Sequence, residues 1–335
     1  MKKAFIYINY SNIVVLETYL KVVSKALARM GFSVEETKTM VGVPKASLIV
    51  FPMGVDAFKY FLKGYKSFIL WQQGVTGEES FLRHRSKLRR FILNWIDLFC
   101  MRRAKLVLFV SEQLLRYYQK KMKDNGILKK SVIMPCFNES SISVNIEQKD
   151  YSRLNFCYVG SLAPWQCFED VARVYKRIEE FNPEASLKVL TFDCEKAKSV
   201  LKKHGVKNYN VKCVPKEDVV PELCDQSYGF IIRKKIVVNE VSTPTKFSSY
   251  LSAGVLPIYS DCMLGMHSVL ARYSFSCPID LDDLSSVLSY IQRPKDSFEI
   301  SEQIALFYKT FYDENIYIKQ IVFKLGETSK GVDHD

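Results

Sequence analysis

The sequence lacks the features that mark membrane-spanning, disulfide-bonded and metal-binding proteins. No segment of the 335-residue chain approaches the roughly 18 to 20 unbroken apolar residues of a transmembrane helix. The nine cysteines are scattered and form no Cys-x-x-Cys pair, which argues against both a disulfide framework and a zinc site. The four histidines are too dispersed to indicate another metal centre. We therefore expect neither a metal ion nor another cofactor.

The amino terminus also lacks the pattern of a signal peptide. The apolar run after Lys2 and Lys3 is shorter than a signal-peptide core of roughly 7 to 15 residues, and it fits a first buried strand. A cytoplasmic location is therefore the expectation. Hydrophobic residues make up 48% of the chain and charged residues 25%, as in folded proteins, and the length favours two domains.

Acidic residues are scarce in the first half of the chain. Residues 1–150 contain 25 Lys and Arg against 12 Asp and Glu, whereas residues 151–335 contain 23 against 24, so the first half holds the whole net charge of +12. A one-sided basic domain indicates an anionic partner such as a membrane surface, a lipid phosphate or a nucleic acid, although solubility alone would also explain it. Nucleic acid is not expected, because no nucleic-acid-binding module accompanies the charge.

Short apolar runs alternate with segments of helical periodicity along most of the chain, including one long predicted helix over residues 80–103. This alternation is typical of α/β proteins with mostly parallel sheets. Residues 137–153 are polar and have no clear period, so we interpret them as a linker. The pattern predicts two doubly wound, Rossmann-like domains, a basic one over residues 1–150 and a second over 151–310. A C-terminal helix and a frayed tail would occupy residues 311–335.

One motif indicates an anion at a helix start. Thr243 is a good N-cap, Pro244 suits the first helical position, and Lys246 then falls at the third. A cation there opposes the helix dipole by roughly 0.3 to 1 kcal/mol, unless the helix end binds an anion. A predicted strand just upstream ends at Arg233-Lys234-Lys235, so a diphosphate site is one interpretation. A solvated loop with an ordinary helix cap is the other.

A second motif lies where another predicted strand leads into a helix. Gly160 follows that strand and would let the backbone approach a ligand closely, and Ser161 offers a hydroxyl donor. By itself this pair is weak, because many strand-to-helix turns contain Gly-Ser for conformational reasons.

Residues 158–260 resemble the donor half of glycosyltransferase family 4-like enzymes of bacterial envelope-polysaccharide synthesis. The segments that carry the resemblance are Tyr158-Val159-Gly160-Ser161, Pro164-Trp165-Gln166, Tyr228-Gly229-Phe230-Ile231-Ile232-Arg233, Val238-Asn239-Glu240-Val241-Ser242-Thr243-Pro244-Thr245-Lys246-Phe247 and Tyr250-Leu251-Ser252-Ala253-Gly254-Val255-Leu256-Pro257-Ile258. The first half is similar more loosely, through Trp71-Gln72-Gln73-Gly74-Val75 with Glu78-Glu79, and through Phe109-Val110-Ser111.

The resemblance implies a GT-B fold, in which two Rossmann-like domains face each other across a cleft and C-terminal helices return to the first domain. It implies a nucleotide-diphosphate sugar as donor, a glycan or lipid-linked glycan as acceptor, and metal-independent, retaining transfer. Arg233 and Lys246 would be the catalytic cations that stabilise the leaving diphosphate. The implied donor-binding residues are Gly160, Ser161, Asn239, Pro244, Thr245 and Ser249, and the implied acceptor-side residues are Gln73, Gly74 and Glu79.

Two departures from the family pattern concern the donor ribose. Ser249 occupies the position of a glutamate that holds the ribose in family members, and Val241 occupies that of a partner glutamate. A lost carboxylate removes charge-assisted hydrogen bonds of about 1.5 to 3 kcal/mol each. Two alternatives to a glycosyltransferase therefore stay open: a non-catalytic, sugar-nucleotide-binding protein of the same fold, and a sugar-nucleotide epimerase.

The predicted helix over residues 80–103 begins with a basic turn and continues with apolar residues at helical spacing: Leu88, Phe91, Ile92, Trp95 and Phe99. One interpretation is peripheral contact with an anionic membrane through the cations of that turn, Arg83, Arg85, Lys87, Arg89 and Arg90. The alternative is that the apolar residues belong to the core and the basic turn is merely solvated.

Overall fold

The computed structural model describes residues 2–8 and 17–330, which form two compact units. The first unit is drawn from Met1–Cys136, Val241–Thr243 and Asp313–Asp335, and the second from Phe137–Glu240 and Pro244–Tyr312. Residues 137–153, predicted as a linker, belong to the second unit. The turn after the first strand, beginning at residue 9, and the end of the predicted frayed tail, residues 331–335, lie outside the described residues.

The first unit is a parallel six-stranded sheet with helices between its strands. Its elements before the second unit are β1 (Lys2–Tyr7), α1 (Glu17–Arg29), β2 (Phe32–Thr37), β3 (Leu48–Phe51), α2 (Gly54–Leu62), β4 (Phe68–Gln72), α3 (Thr76–His84), α4 (Lys87–Arg103), β5 (Leu106–Phe109), α5 (Glu112–Met122) and β6 (Ser131–Ile133). The strand order is β2-β1-β3-β4-β5-β6. Every residue of β3, β4 and β5 is buried, as expected for strands with both faces covered.

The helix predicted over residues 80–103 is instead two helices, α3 and α4. Arg85 is left-handed, with φ of 54°, and ends α3. Ser86 then caps α4 by accepting a hydrogen bond from the Arg89 backbone N–H at 3.3 Å. The break falls in the basic segment 83–87, which contains no apolar residue, so the apolar spacing on either side did not reveal it. Helix α2 had no counterpart in the sequence-based prediction.

The second unit is also a parallel six-stranded sheet. Its elements are β7 (Asn155–Val159), α6 (Phe168–Phe181), β8 (Ser186–Leu190), α7 (Cys194–Lys203), β9 (Tyr209–Lys212), α8 (Val219–Leu223), β10 (Tyr228–Ile231), α9 (Val237–Glu240), α10 (Lys246–Ser252), β11 (Leu256–Ser260), α11 (Leu264–Leu270), β12 (Cys277–Ile279), α12 (Ser285–Gln292) and α13 (Ser297–Phe307). The strand order, β12-β11-β10-β7-β8-β9, is that of a dinucleotide-binding Rossmann sheet.

The last helix, α14 (Glu314–Lys330), belongs to the first unit and packs on α1. The Lys25 Nζ atom lies 2.5 Å from Glu314 Oε1, and Arg29 donates to the Asn315 side chain at 3.2 Å. The predicted return of a C-terminal helix to the first domain is therefore confirmed. Helical periodicity over residues 300–325 predicts one helix, but a wider π-helical turn, Tyr308–Tyr312, separates α13 from α14.

Candidate functional site

The candidate site lies where the strand order of the second sheet reverses. Strands β7 and β10 are hydrogen-bonded neighbours at this point, and their connections leave toward opposite sides of the sheet. Ligands of doubly wound sheets bind at such a reversal, beyond the carboxyl ends of the strands. Gly160 directly follows β7, and Arg233 lies two residues after the end of β10. The fold of this unit therefore brings these two predicted residues to one place.

Tyr250 fixes helix α10 over this point. A Cβ atom on Gly229 would lie 2.4 Å from the Tyr250 ring, so only glycine in β10 leaves room for it. The Tyr250 hydroxyl donates to the Phe230 carbonyl and accepts from the Val159 backbone N–H, each at 3.2 Å. One side chain thus ties α10 to both strands at the reversal and sets the position of Lys246 at the start of that helix.

Arg233 is buried, with 3% of its surface exposed. Its backbone N–H donates to the Ser260 hydroxyl at 2.9 Å, which fixes the residue at the end of the sheet. In the guanidinium group, Nη2 donates to Gln166 Oε1 at 2.6 Å and Nη1 to the Gln166 carbonyl at 3.0 Å. The cation is therefore held by one turn of chain, Pro164–Gln166, that follows Gly160.

Lys246 is also buried, with 8% of its surface exposed, and it lies beside Arg233. Its Nζ atom donates to the same Gln166 Oε1 atom at 2.9 Å and lies 4.0 Å from the centre of the Tyr158 ring. Gly160 makes room for it: φ there is +128°, and a Cβ atom would approach Lys246 Cε to 2.9 Å. Glycine at position 160 is thus explained by both its backbone conformation and the neighbouring cation.

The two cations share one neutral oxygen and no carboxylate. Among residues 2–8 and 17–330, neither Arg233 nor Lys246 forms a salt bridge. Burial lowers the pKa of Lys246 well below its usual range, and the charge of Arg233 lowers it further. Burial also lowers the pKa of Arg233. Buried charges are normally paired, so two adjacent cations without an acid form a site that an anion would stabilise.

The predicted helix cap at Thr243 is wrong. Helix α10 begins at Lys246 with Thr245 at the N-cap position, and no side chain caps it. The Thr243 hydroxyl instead accepts from the Cys136 backbone N–H at 3.0 Å within the first unit. Lys246 is thus the first helical residue rather than the third. Burial of Lys246 beside Arg233, without an acidic partner, therefore indicates an anion more strongly than its place in the helix does.

The other predicted donor-side residues are less uniform. Lys234 is exposed and pairs with Asp170 at 3.1 Å, so of the Arg233–Lys235 run only Arg233 joins Lys246. Asn239 is buried and its side-chain amide donates to the Lys234 carbonyl at 2.9 Å, which braces the loop after Arg233. Ser161 is exposed, and its carbonyl accepts from the Tyr158 hydroxyl at 2.7 Å. Pro244 and Thr245 are half-buried immediately before α10.

Ser249 lies one helical turn after Lys246 and is 4% exposed. Segment 138–143 runs along α10 here: the Asn138 side-chain amide is 3.5 Å from the Ser249 hydroxyl, and the Asn138 backbone N–H donates to the Ser248 hydroxyl at 2.9 Å. Glu139 follows on that segment, half-buried, and burial raises the pKa of its carboxyl group. The position of the expected ribose-binding glutamate is thus occupied by a small, covered hydroxyl.

The predicted acceptor-side residues lie in the first unit, at the carboxyl end of β4. Gln73 donates to the Pro52 carbonyl at 3.1 Å, and the Gly74 carbonyl accepts from the Gln72 side chain at 2.7 Å. A Cβ atom on Gly74 would lie 2.2 Å from Glu79 Oε1, so glycine is needed for the approach of this carboxyl group. Burial raises the pKa of Glu79, and the charge of Arg83 opposes that shift.

The basic turn before α4 is only partly as predicted. Arg83, Arg85, Lys87 and Arg89 are exposed, but Arg90 is half-buried and its Nε atom lies 2.9 Å from Glu78 Oε2. The apolar residues Leu88, Phe91, Ile92 and Trp95 are exposed as well, which rules out a place in the core for them. Within the described part of the chain, no helix is both long and apolar enough to span a bilayer, and no cluster of three potential metal ligands occurs.

The comparisons with known proteins support the fold. Sucrose-phosphate synthase from Thermosynechococcus elongatus aligns with a TM-score of 0.67 at 10% identity over 99% of both chains. A glycosyltransferase from Rickettsia africae aligns with 0.65 at 8% identity, over 98% of this chain and 99% of its own. TarM from S. aureus, solved with UDP and α-GlcNAc-glycerol, aligns with 0.62 at 8% identity over 84% of this chain.

This chain spans only 55% of the TarM chain. No protein-family model matches the sequence, and no curated protein sequence is significantly similar to it. These structural neighbours are GT-B glycosyltransferases, so the predicted GT-B fold, with two α/β units, is confirmed.

Sequence reasoning missed the two side chains that organise the site. Gln166 and Tyr250 both lie in segments that carry the family resemblance, but neither had a predicted role. Gln166 contacts residues that lie 67 and 80 positions away in the sequence, and Tyr250 contacts residues 91 and 20 positions away. A polar residue in a Pro-Trp-Gln turn just after Gly160 was the available signal for Gln166. Only the strand order shows that Gln166 lies between Arg233 and Lys246.

Proposed function

We propose that this protein is a glycosyltransferase that takes a sugar from a nucleotide-diphosphate donor. The observation that carries the proposal is the buried pair of Arg233 and Lys246, which share Gln166 Oε1 and have no acidic partner among the described residues. A diphosphate supplies the missing negative charge at the place where Rossmann-type sheets bind nucleotides. One of the structural neighbours named above, TarM, was solved with UDP.

The chemistry follows from the charge on the leaving group. When the bond between the sugar's anomeric carbon and the diphosphate oxygen breaks, negative charge develops on that oxygen, and the two cations stabilise it. In the retaining reaction that we propose, the acceptor hydroxyl forms the new glycosidic bond from the same face and gives its proton to the departing diphosphate. Arg233 and Lys246 suffice for this charge stabilisation, so we propose metal-independent transfer.

For the acceptor we propose a glycan or lipid-linked glycan of cell-envelope, capsule or O-antigen synthesis. Gln73, Gly74 and Glu79 are the proposed acceptor-side residues, and the half-buried carboxyl group of Glu79 is suited to hydrogen-bonding sugar hydroxyls. We further propose a cytoplasmic protein that associates peripherally with an anionic membrane through its basic first unit. The exposed cations Arg83, Arg85, Lys87 and Arg89 support this association.

One observation favours a second candidate, a non-catalytic protein that binds sugar nucleotides. Ser249 offers a single covered hydroxyl where a ribose-binding carboxylate is expected. A protein that holds the donor through its diphosphate alone does not need a ribose-binding carboxylate. Efficient turnover depends more on that carboxylate, because it positions the donor. The two candidates differ in whether a nucleoside diphosphate is released from the donor sugar.

A thermal-shift screen against UDP, GDP, ADP and CMP tests the proposal. At a ligand concentration of about 100 times Kd, binding adds about 2.7 kcal/mol to stability, so one nucleotide should raise the Tm clearly and thereby identify the base. Release of that nucleotide from its sugar conjugate, in the presence of a lipid-linked acceptor extract, separates the enzyme from the non-catalytic candidate. A protein that responds to none of the four nucleotides would contradict both.

A further inference from the structure

The outer face of helices α2 and α4 carries large apolar side chains that the protein leaves uncovered. On α4, Leu88 and Phe91 are each 69% exposed, Ile92 is 46% exposed and Trp95 is 50% exposed. Their spacing of three, four and seven residues places them on one stripe of the helix. Ile96, Cys100 and Met101 form the opposite, buried face. Helix α4 is therefore apolar on two sides, of which only one belongs to the core.

Helix α2 extends the stripe. Val55 and Leu62, one face of α2, are 40% and 66% exposed. Aromatic contacts join the two helices: the ring of Phe58 lies 5.5 Å from Trp95, and that of Phe61 lies 5.1 Å from Phe99. We call the six exposed residues the apolar stripe: Val55, Leu62, Leu88, Phe91, Ile92 and Trp95. A monomer in water gains nothing from exposing this many large apolar side chains on two packed helices, and such a surface usually marks a binding site.

The charges around the apolar stripe are almost all positive. The two helices contain only two acids: Asp97 is fully buried and Asp56 is half-buried, with its carboxyl pKa raised by that burial. Exposed cations lie on these two helices or within four residues of the end of α2: Lys59, Lys63, Lys66, Lys87, Arg89, Arg102 and Arg103. Four of them lie near aromatic rings. Lys66 is 3.5 Å from the centre of Phe61 and Arg103 is 5.6 Å from that of Phe99, while Lys59 and Lys63 are 5.3 and 5.6 Å from that of Tyr60.

We infer that the apolar stripe inserts into the surface of an anionic lipid bilayer. Apolar and aromatic side chains bordered by Lys and Arg are the composition of helices that lie in the plane of a membrane interface. The cations would contact lipid phosphates, whose charge is complementary to theirs, while Phe91 and Trp95 enter the boundary between headgroups and acyl chains. This surface deepens the membrane association proposed above, because it adds an apolar, salt-insensitive contact to an electrostatic one.

Vesicle co-sedimentation of the full chain tests the inference. The probe is vesicles of phosphatidylglycerol mixed with phosphatidylcholine, compared with phosphatidylcholine alone, at low and high salt. We expect Phe91→Ser to lower the partition coefficient on the order of tenfold at both salt concentrations. Arg89→Gln should lower it roughly fivefold at low salt and much less at high salt. Both side chains are exposed, so neither change should disturb folding.

A matched control is available in the second unit. Phe192 is 82% exposed and far from the stripe in sequence, and Phe192→Ser should leave vesicle binding unchanged. Trp95 provides a direct readout, since its fluorescence should shift to shorter wavelength with anionic vesicles. The shift should disappear in Trp95→Phe, because Trp71 is buried and should not respond to lipid.

Three results would overturn the inference: equal binding to vesicles with and without phosphatidylglycerol, unchanged binding by Phe91→Ser, or an equal loss with Phe192→Ser. If Phe91→Ser instead alters self-association in sedimentation velocity and not vesicle binding, the stripe is an interface between copies of the chain. Nucleotide-induced thermal shifts are measured on the same variants. If vesicle binding fails while the nucleotide-induced shifts persist, only the membrane surface is refuted. If vesicle binding persists while no nucleotide raises the Tm, only the proposed transferase is refuted.

Discussion

At the level of residues, the site depends on one neutral oxygen between two buried cations. Gln166 Oε1 accepts from Arg233 at 2.6 Å and from Lys246 at 2.9 Å. Hydrogen bonds between an ionised and a neutral group contribute about 1.5 to 3 kcal/mol each, but the charges themselves stay uncompensated. The Gln166 oxygen thus occupies the place in which a phosphate oxygen would be better bound.

Gln166→Glu should therefore stabilise the protein and impair nucleotide binding. The glutamate carboxylate has the shape of the amide but compensates both cations, so we expect the free energy of unfolding to rise by about 1 to 3 kcal/mol. The same carboxylate competes with the diphosphate and should weaken its binding. Urea unfolding and calorimetric titration measure the two effects. Wild-type nucleotide affinity in this variant would contradict the role given to the shared oxygen.

Gly160→Ala should damage both stability and binding. Alanine disfavours φ of +128°, and its Cβ atom would lie 2.9 Å from Lys246 Cε, so a loss on the order of 1 to 3 kcal/mol is expected together with weaker diphosphate binding. Gly205→Ala is the control, because φ there is +68° but the nearest atom, Lys176 Cε, is 3.9 Å away. Urea unfolding should show a loss of stability in both variants, but only Gly160→Ala should lose nucleotide affinity. Equal affinities would refute the contact.

Diphosphate affinity should fall as pH rises above the lowered pKa of Lys246. Burial and the charge of Arg233 favour the neutral amine in the free protein, whereas the bound diphosphate favours the ammonium. Binding should therefore take up a proton as the pH rises through the lowered lysine pKa, and affinity should decline well before the usual lysine range of about 10.4. Titration calorimetry in buffers of different ionisation enthalpy detects the uptake. Proton release, or affinity independent of pH up to that range, would be incompatible with a buried lysine in the site.

At the level of elements, much of the fold was predictable because apolar runs mark the strands and capping residues mark the starts of helices. Strands β7 and β11 and helix α6 follow the alternation of apolar runs and helical periodicity described above. Ser111, a serine at the start of a helical period, caps α5 by accepting from the Leu114 backbone N–H at 3.0 Å. One error occurs where a tertiary contact overrides a local signal. Thr243 would cap α10, but its hydroxyl accepts from the Cys136 backbone N–H instead. A second error, the break at Arg85, falls in the basic segment 83–87, where no apolar residue marks the helical period.

Two serine caps should differ in their contribution to stability. Ser86→Ala removes a cap on α4 and should cost about 1 kcal/mol. Ser111→Ala removes a cap and also the 2.6 Å hydrogen bond from the Ser111 hydroxyl to the buried Val241 carbonyl, so its cost should be larger by about 1 kcal/mol or more. Urea unfolding of the two variants gives the comparison. Equal losses would show that the bond to Val241 contributes nothing.

At the level of the whole molecule, strand order was the part that sequence could not supply. Periodicity identifies strands but not which of them are neighbours. The site exists because β7 lies beside β10, and Gln166 reaches Arg233 and Lys246 across 67 and 80 residues of chain. The sequence did identify Gly160, Arg233 and Lys246 as candidates: Lys246 from its predicted place at a helix start, Arg233 as a cation after a predicted strand, and Gly160 chiefly through the family resemblance. The distribution of charge likewise indicated a basic first half, but only the structure shows the apolar stripe that its cations surround.

The central claim is that Arg233 and Lys246 bind the diphosphate of a nucleotide sugar. The most direct test is calorimetric titration of the wild type, Arg233→Ala and Lys246→Ala with the nucleoside diphosphate that the thermal-shift screen identifies and with its parent nucleoside. We predict that each variant loses about 10- to 100-fold in affinity for the diphosphate, the equivalent of one charge-assisted hydrogen bond, and keeps its affinity for the nucleoside. Equal losses for both ligands would contradict the claim.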